Sequence, residues 1–222
     1  MYRIFGQPHD ISELKKIFLD PIAKYRCKVK VALVDDEDFE YSDILYNHGY
    51  LVTKLDDIDN IQILEAYDII FCDIKGIGAK LNAKLQGAYI IREIRKRYPF
   101  KYIIAYSGRT FDPSYNQYFQ MADQVIKKDA DSSEWIEALD MATQNVLAPY
   151  NQWQKMRRTF FSREVPLEDI MRLEDKFVSS VLKKNPEKFI SQKSSIHLSP
   201  EIQRILKDFG IQVLKKLLLN II

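Results

Sequence analysis

Residues 68–73 read Asp-Ile-Ile-Phe-Cys-Asp, four apolar residues between two carboxylates. A short apolar run of this kind is typical of a strand that is buried on both faces of a parallel sheet. The residues that follow, Ile74-Lys75-Gly76-Ile77-Gly78, contain two glycines and indicate a loop. Because open α/β sheets place their chemistry at the carboxyl ends of the strands, Asp73 is the first candidate for a functional residue.

Further strands are predicted on both sides of this run, and helices are predicted between them. The predicted strands cover residues 28–34, 50–53, 68–72, 102–106 and 123–127. The predicted helices lie around residues 39–45, over 58–66 and 87–97, after Asp112-Pro113, and over 131–145. Strands that alternate with helices predict a parallel sheet, and right-handed crossovers make it a doubly wound α/β sheet of the flavodoxin-like kind.

Three regions follow from this pattern. Residues 28–147 form the α/β domain, and residues 1–27 form an N-terminal extension with a strand over 2–5 and a short helix over 12–19. Residues 151–222 are an all-helical C-terminal extension, with helices over 151–160, 166–183 and 200–220 and a polar linker over 191–199. An apolar stripe runs along the last helix: Ile202, Leu206, Phe209, Val213, Leu217 and Ile221.

Composition and charge are those of an ordinary globular protein. The 222 residues carry a net charge of +2, with +6 on residues 151–222 and −4 on the remainder, so no strong field indicates a polyanionic partner. Cys27 and Cys72 are predicted to be buried and reduced rather than part of a disulfide framework. Without a signal-like N-terminus or an apolar run long enough to span a bilayer, the sequence predicts a cytoplasmic protein with no membrane partner.

Polar residues stand at the ends of four of the predicted strands. Asp35-Asp36, Asp73, Ser107 and Lys128 each follow or close a strand. The carboxyl ends of parallel strands meet at one edge of a sheet, so these side chains are expected to converge. Three crowded carboxylates need a cation, and oxygen ligands of this type suit Mg²⁺.

This arrangement resembles the receiver domain of bacterial two-component response regulators over residues 28–147. The resemblance is carried by four strands in order, each with its polar end. The matching segments are Val31-Ala32-Leu33-Val34-Asp35-Asp36-Glu37, Asp68-Ile69-Ile70-Phe71-Cys72-Asp73, Ile103-Ile104-Ala105-Tyr106-Ser107-Gly108 and Ala122-Asp123-Gln124-Val125-Ile126-Lys127-Lys128. The resemblance implies a five-stranded sheet with the order 2-1-3-4-5.

The resemblance also implies roles for these residues. Asp73 would be the phosphoacceptor, and Ser107 and Lys128 would contact the phosphoryl group. Asp35, Asp36, Asp73 and the backbone carbonyl of Lys75 would bind Mg²⁺. The partner would be a histidine kinase or a phosphotransfer protein, and the domain would not be an enzyme beyond catalysing its own phosphorylation and dephosphorylation.

Two positions depart from the receiver pattern. The family commonly has a proline four residues after the acceptor, where this chain has Ile77. The glycine that opens the next helix is matched by Gly87, so the loop over 74–86 is extended and carries added lysines. The family often has an aromatic switch residue three before the lysine, where this chain has Val125; Tyr106 precedes Ser107 but is not the equivalent position.

Other readings of the same residues fit less well. A dinucleotide fingerprint starting at Gly76 lacks its third glycine because Leu81 stands there, and the chain has no phosphate-binding P-loop pattern. A dehalogenase-type phosphatase needs a second aspartate where Lys75 stands. His9, His48 and His197 do not have the spacing of a metal site.

The sequence of the helical extension is compatible with more than one output function. It is predicted to act as an effector or as a homodimerisation region, because its apolar stripe suits packing against the chain's own core or a second copy. DNA binding is an alternative that is not favoured, since no helix-turn-helix is evident. A further alternative is a receiver-like module that binds a protein partner without phosphorylation.

Overall fold

The computed structural model describes residues 9–17, 21–108, 115–190 and 198–220. The chain divides into two compact units. One unit comprises Leu19–Val146, and the other combines Met1–Phe18 with Leu147–Ile222. The predicted N-terminal extension, residues 1–27, is therefore shared between the two units.

The first unit is built on a five-stranded parallel sheet. Its strands are β1 (Lys30–Val34), β2 (Leu51–Leu55), β3 (Ile69–Asp73), β4 (Tyr102–Ser107) and β5 (Gln124–Lys127). They lie in the order β2-β1-β3-β4-β5, which confirms the predicted fold class. All five residues of the central strand β3 are buried, as expected for a strand covered on both faces.

Helices and short 3₁₀ segments connect these strands. The helices are α1 (Ser42–Asn47), α2 (Gly87–Arg97), α3 (Asn116–Phe119) and α4 (Ser132–Leu147). A 3₁₀ helix over Ile22–Lys28 precedes β1, and another over Ile61–Ala66 stands where a short α-helix was predicted. The predicted helix start at Asp112-Pro113 lies outside the described residues.

The second unit is helical in its described residues, as predicted. It contains α5 (Pro149–Ser162), α6 (Leu167–Leu182), α7 (Glu187–Ile190), α8 (Pro200–Phe209) and α9 (Lys215–Asn220), with one π-helical stretch over Gly210–Leu214 between the last two. Trp153 lies at the centre of its core and stacks on Phe177 with ring centroids 4.9 Å apart. Phe160, Phe189 and Phe209 complete this aromatic cluster.

The apolar stripe predicted along the last helix is mostly buried inside this unit. Ile202, Phe209, Val213 and Leu217 are buried and Leu206 is half-buried, whereas Ile221 lies outside the described residues.

The N-terminal segment packs with the helices of the second unit. A 3₁₀ helix over Ile11–Lys16 overlaps the helix predicted over 12–19, and the strand predicted over residues 2–5 lies outside the described residues. Asp10 caps this helix, with its side chain accepting from the Ser12 N–H at 2.8 Å. The backbone N–H of His9 donates to the Asp175 carboxylate of α6 at 2.8 Å.

Two simpler findings concern the cysteines and the membrane. Cys72 is buried as predicted, but the prediction for Cys27 is wrong because its 3₁₀ helix leaves it exposed. Among the residues that the structure describes, no helix is both long and apolar enough to cross a bilayer.

Candidate functional site

Three carboxylates meet at the carboxyl ends of β1 and β3. Asp35 and Asp36 follow β1 directly, and Asp73 is the last residue of β3. Each carboxylate contributes one oxygen atom to a group of three that all lie within 4.8 Å of one another. Asp35 is 3% exposed and Asp73 is 5% exposed, whereas Asp36 is open to solvent. The structure therefore brings the three predicted metal ligands together, and their oxygens form a set that could hold a cation.

Lys128, which follows β5, reaches into this cluster. Its Nζ lies 2.7 Å from Oδ2 of Asp73 and 2.8 Å from Oε2 of Glu37. The same nitrogen is farther from Asp35, at 3.3 Å from Oδ2 and 3.4 Å from Oδ1. The partnership with Glu37 was not anticipated from the sequence. Since Glu37 is largely exposed, its contribution is weakened by solvent.

The loop after β3 touches the carboxylates through its backbone. The N–H of Lys75 donates to Oδ1 of Asp73 at 3.2 Å. Gly76 has a φ of +85°, a conformation that favours glycine, and a Cβ there would lie 2.4 Å from Oδ1 of Asp36. The backbone of this loop is thus held against the site, although the predicted role of the Lys75 carbonyl stays a prediction.

The extended loop has an internal structure of its own. The N–H of Gly78 donates to Oδ1 of Asp57, in the segment after β2, at 2.6 Å. The N–H of Gly76 donates to Oε1 of Gln86 at 3.2 Å, and Ile77 is fully buried. Lys75, Lys80 and Lys84 are exposed on this loop.

Tyr106 is the site residue that the sequence reasoning missed. It is 1% exposed, and its hydroxyl donates to Oδ2 of Asp35 at 2.7 Å. Tyr106 is paired with Asp73 across β3 and β4. A phenol near the carboxyl end of the strand, one residue before Ser107, was the available signal.

Ser107 and Val125 are the two remaining positions that the sequence analysis singled out. The backbone of Ser107 ends β4 and is paired with Lys127, but its side chain lies outside the described part of the chain, so its contact with a phosphoryl group stays a prediction. Val125, at the usual place of the aromatic switch, is 49% exposed. It lines an open surface groove of about 480 Å³ between β5 and α4.

The electrostatics follow from two buried carboxylates that share one ammonium group. Burial raises the pKa of Asp73, and hydrogen bonds from Lys128 and the Lys75 N–H only partly offset this. For Lys128, partial burial works against the charge, but hydrogen bonds to Asp73 and Glu37 outweigh it and raise the pKa of the ammonium group. Burial, together with the hydrogen bond to Asp35, raises the pKa of Tyr106, so its hydroxyl keeps the proton that it donates.

The chain shows similarity to known proteins in its structure and not in its sequence. No protein-family model matches the sequence, and no curated protein is similar to it. Among solved structures, the chain is similar to a CheY-like response regulator receiver domain from Methanospirillum hungatei JF-1, with 18% identity over 52% of this chain and 93% of that one, at a TM-score of 0.44. It is similar to the receiver domain of NtrX from Brucella abortus, with 23% identity over 51% and 97% of the two chains, at a TM-score of 0.43.

A third solved structure is the response regulator TrrA from Thermotoga maritima, determined in complex with Mg²⁺ and BeF. It shares 22% identity with this chain over 51% of this chain and 98% of that one, at a TM-score of 0.41. These likenesses concern the fold. Function is therefore inferred from the geometry of this chain's own residues.

Proposed function

We propose that this protein is a phosphoacceptor response regulator in a phosphorelay, and that Asp73 receives a phosphoryl group from a histidine kinase or a phosphotransfer protein. The observation that supports this most directly is the environment of Asp73. Its carboxylate is buried at a strand end, Lys128 lies 2.7 Å away, and oxygens of Asp35 and Asp36 lie within 4.8 Å. A solely structural carboxylate would not need this concentration of like charge.

The proposed reaction forms one bond and breaks one. A carboxylate oxygen of Asp73 forms a bond to phosphorus while the bond between phosphorus and the imidazole nitrogen of the donor histidine breaks. The imidazole leaves with the electron pair of the broken bond. Lys128, already beside Asp73, donates to the oxygens of the transferred group, and the Lys75 N–H holds the carboxylate in place.

A divalent cation fits the site because the donor set is rich in hard oxygen atoms. Asp35, Asp36 and Asp73 carry three negative charges, and the ammonium group of Lys128 offsets one of them. Mg²⁺ prefers carboxylate and carbonyl oxygens, so these side chains and the Lys75 carbonyl are the groups proposed to hold it. Bound there, Mg²⁺ would offset the charge of the carboxylates and of the incoming phosphoryl oxygens.

The test is chemical phosphorylation followed by intact mass measurement. The protein is incubated with acetyl phosphate and Mg²⁺, and we expect the mass of one phosphoryl group to be added. Asp73→Ala should abolish the addition, whereas the matched control Asp59→Asn, at an exposed aspartate outside the site, should leave it unchanged. A wild-type protein that gains no phosphoryl mass and does not bind beryllofluoride would rule out the proposal.

A second candidate is a receiver-like module that binds a protein partner without phosphorylation. The exposure of Val125 favours it, because this side chain is not an inward-turning aromatic switch. Phosphorylation of Asp73 by acetyl phosphate with no change in partner binding would favour this candidate over the first.

For the helical unit, we propose an effector or homodimerisation role. The apolar stripe of α8 and α9 is buried within the unit, so a dimer would have to use other exposed apolar residues, such as Phe161, Leu167 and Met171. Light scattering of the full chain, with and without beryllofluoride, tests dimerisation.

DNA binding remains the less favoured alternative, and retention by DNA at moderate salt would support it. The cytoplasmic location stays a prediction.

A further inference from the structure

Tyr106 reaches across the central strand to the carboxylate of Asp35. In the parallel register Tyr106 is paired with Asp73, so both side chains point to the same face of the sheet. The phenol is long enough to reach the end of β1, where its oxygen lies 2.7 Å from Oδ2 of Asp35 and 3.4 Å from the carbonyl oxygen of Val34. This contact joins the fourth strand to the first.

The Tyr106 ring is fixed by its surroundings. It packs edge-on against Trp135 of α4, with centroids 5.6 Å apart, and against Phe71 of β3 at 6.3 Å. At 1% exposure the hydroxyl has little access to water, and a buried hydroxyl without a partner is costly. The packing of the core around the Tyr106 ring therefore directs its hydroxyl toward Asp35.

The hydroxyl competes with Lys128 for the same carboxylate. Oδ1 of Asp35 accepts the Glu37 N–H at 2.9 Å, and Oδ2 accepts the Tyr106 hydroxyl. Lys128 stands more than half an ångström farther from Asp35 than from Asp73. The two shorter hydrogen bonds hold Asp35, and Lys128 is left to pair with Asp73.

We infer that Tyr106 is a positioning residue of the cation site, which holds Asp35 in place for a divalent cation and keeps it from closing onto Lys128. This inference rests on the proposed function, because it assigns a role within the same site. Among the side chains that the structure describes, Lys128 is the donor that remains beside the buried Asp35 carboxylate once the hydroxyl is removed. Asp35 would then turn toward the ammonium group and be withdrawn from the cation.

The test is direct cation binding by Tyr106→Phe. Mn²⁺ is used in place of Mg²⁺, and free Mn²⁺ is measured by electron paramagnetic resonance during a titration of the full chain. We expect affinity to fall about tenfold, the lower end of what loss of a hydrogen bond to a metal ligand usually causes. The matched control is Tyr102→Phe, a buried tyrosine at the opposite end of the same strand, which should bind Mn²⁺ as the wild type does.

A double-mutant cycle separates this role from a general loss of packing. Asp35→Asn should weaken Mn²⁺ binding alone, and adding Tyr106→Phe to it should change the affinity little further, because the hydroxyl acts through Asp35. Equal affinities of Tyr106→Phe and wild type would overturn the inference while the proposed function stands. Additive losses in the cycle would also overturn it. A wild-type protein that binds no Mn²⁺ would overturn both.

Discussion

Asp73 combines two properties that oppose each other in the folded protein. It is buried at the end of β3, which penalises its charged form, yet the chemistry proposed for it needs that charged form. Lys128 and the Lys75 N–H reduce the penalty without removing it, and the pKa of Asp73 stays above its ordinary value. The charged form of Asp73 therefore lowers the stability of the cation-free protein.

This leads to a prediction for Asp73→Asn. Between the ordinary aspartate pKa of 3.8 and the raised pKa of the folded state, the folded protein binds more protons than the unfolded chain, so stability falls as pH rises through that interval. The variant removes this loss, so we expect its free energy of unfolding to exceed that of the wild type at about pH 7, and the gain to shrink as pH falls through the raised pKa toward 3.8.

Urea unfolding without divalent cations, at several pH values, measures this gain. Asp59→Asn serves as the control because its carboxylate is exposed. If Asp73→Asn were less stable than the wild type at neutral pH, the ion pair with Lys128 would outweigh the cost of burial.

At the scale of elements, a polar network ties the segment before β1 to α4. Arg26, in the 3₁₀ helix over Ile22–Lys28, donates to both carboxylate oxygens of Asp140, at 2.8 and 2.7 Å. The hydroxyl of Tyr50, just before β2, donates to the same carboxylate, and Thr143 donates to the Tyr50 oxygen at 3.4 Å. Partial burial alone would raise the pKa of Asp140, but the hydrogen bonds from Arg26 and Tyr50 lower it.

We predict that Asp140→Asn lowers the free energy of unfolding by about 1–3 kcal/mol, because Arg26 loses a charged partner. Since the folded pKa of Asp140 is depressed, the stabilisation is present above its ordinary pKa and is lost as pH falls through the folded value. The control is Glu137→Gln, an exposed position on the same helix. Equal denaturation midpoints for the two variants at neutral pH would contradict the prediction.

The elements also show how far sequence reasoning reaches in this chain. The five strands could be predicted because apolar runs that end in polar residues are a strong local signal, and their order was predicted from the resemblance to receiver domains. The short 3₁₀ helix over Ile61–Ala66 could not be told from an α-helix, since both place Ile61 and Leu64 on one side. The Tyr106 contact was missed because it depends on a side chain that crosses a neighbouring strand, which period and spacing do not encode.

At the scale of the whole molecule, the two ends of the sequence contribute to one unit. Leu14 of the N-terminal 3₁₀ helix is 1% exposed, and Lys15 lies over the ring of Tyr150 with its Nζ 4.9 Å from the centroid. The α/β unit between them is formed by Leu19–Val146. The helical unit is therefore built from segments that come before and after the α/β unit in the sequence.

A matched pair of leucine variants tests this division. Leu14→Ala and Leu64→Ala each remove a buried leucine from a 3₁₀ helix, and each is expected to cost about 2–5 kcal/mol. Hydrogen exchange read by mass spectrometry should show faster exchange in α5 and α6 for the first variant and in the strands of the sheet for the second. Leu14→Ala that accelerates exchange in the sheet as strongly as in the helices would contradict the two-unit description.

Gly87, the first residue of α2, has a consequence for how this protein can vary. A Cβ at this position would lie 1.8 Å from the carbonyl oxygen of Asp73, so the chain leaves β3 at Asp73 and returns to the same point fourteen residues later. In a saturation library we expect position 87 to accept glycine alone, while Lys80 and Lys84 on the exposed part of the loop accept most residues. The length and chemistry of the loop are thereby free to diverge between descendants of this chain, while Asp73 keeps its place.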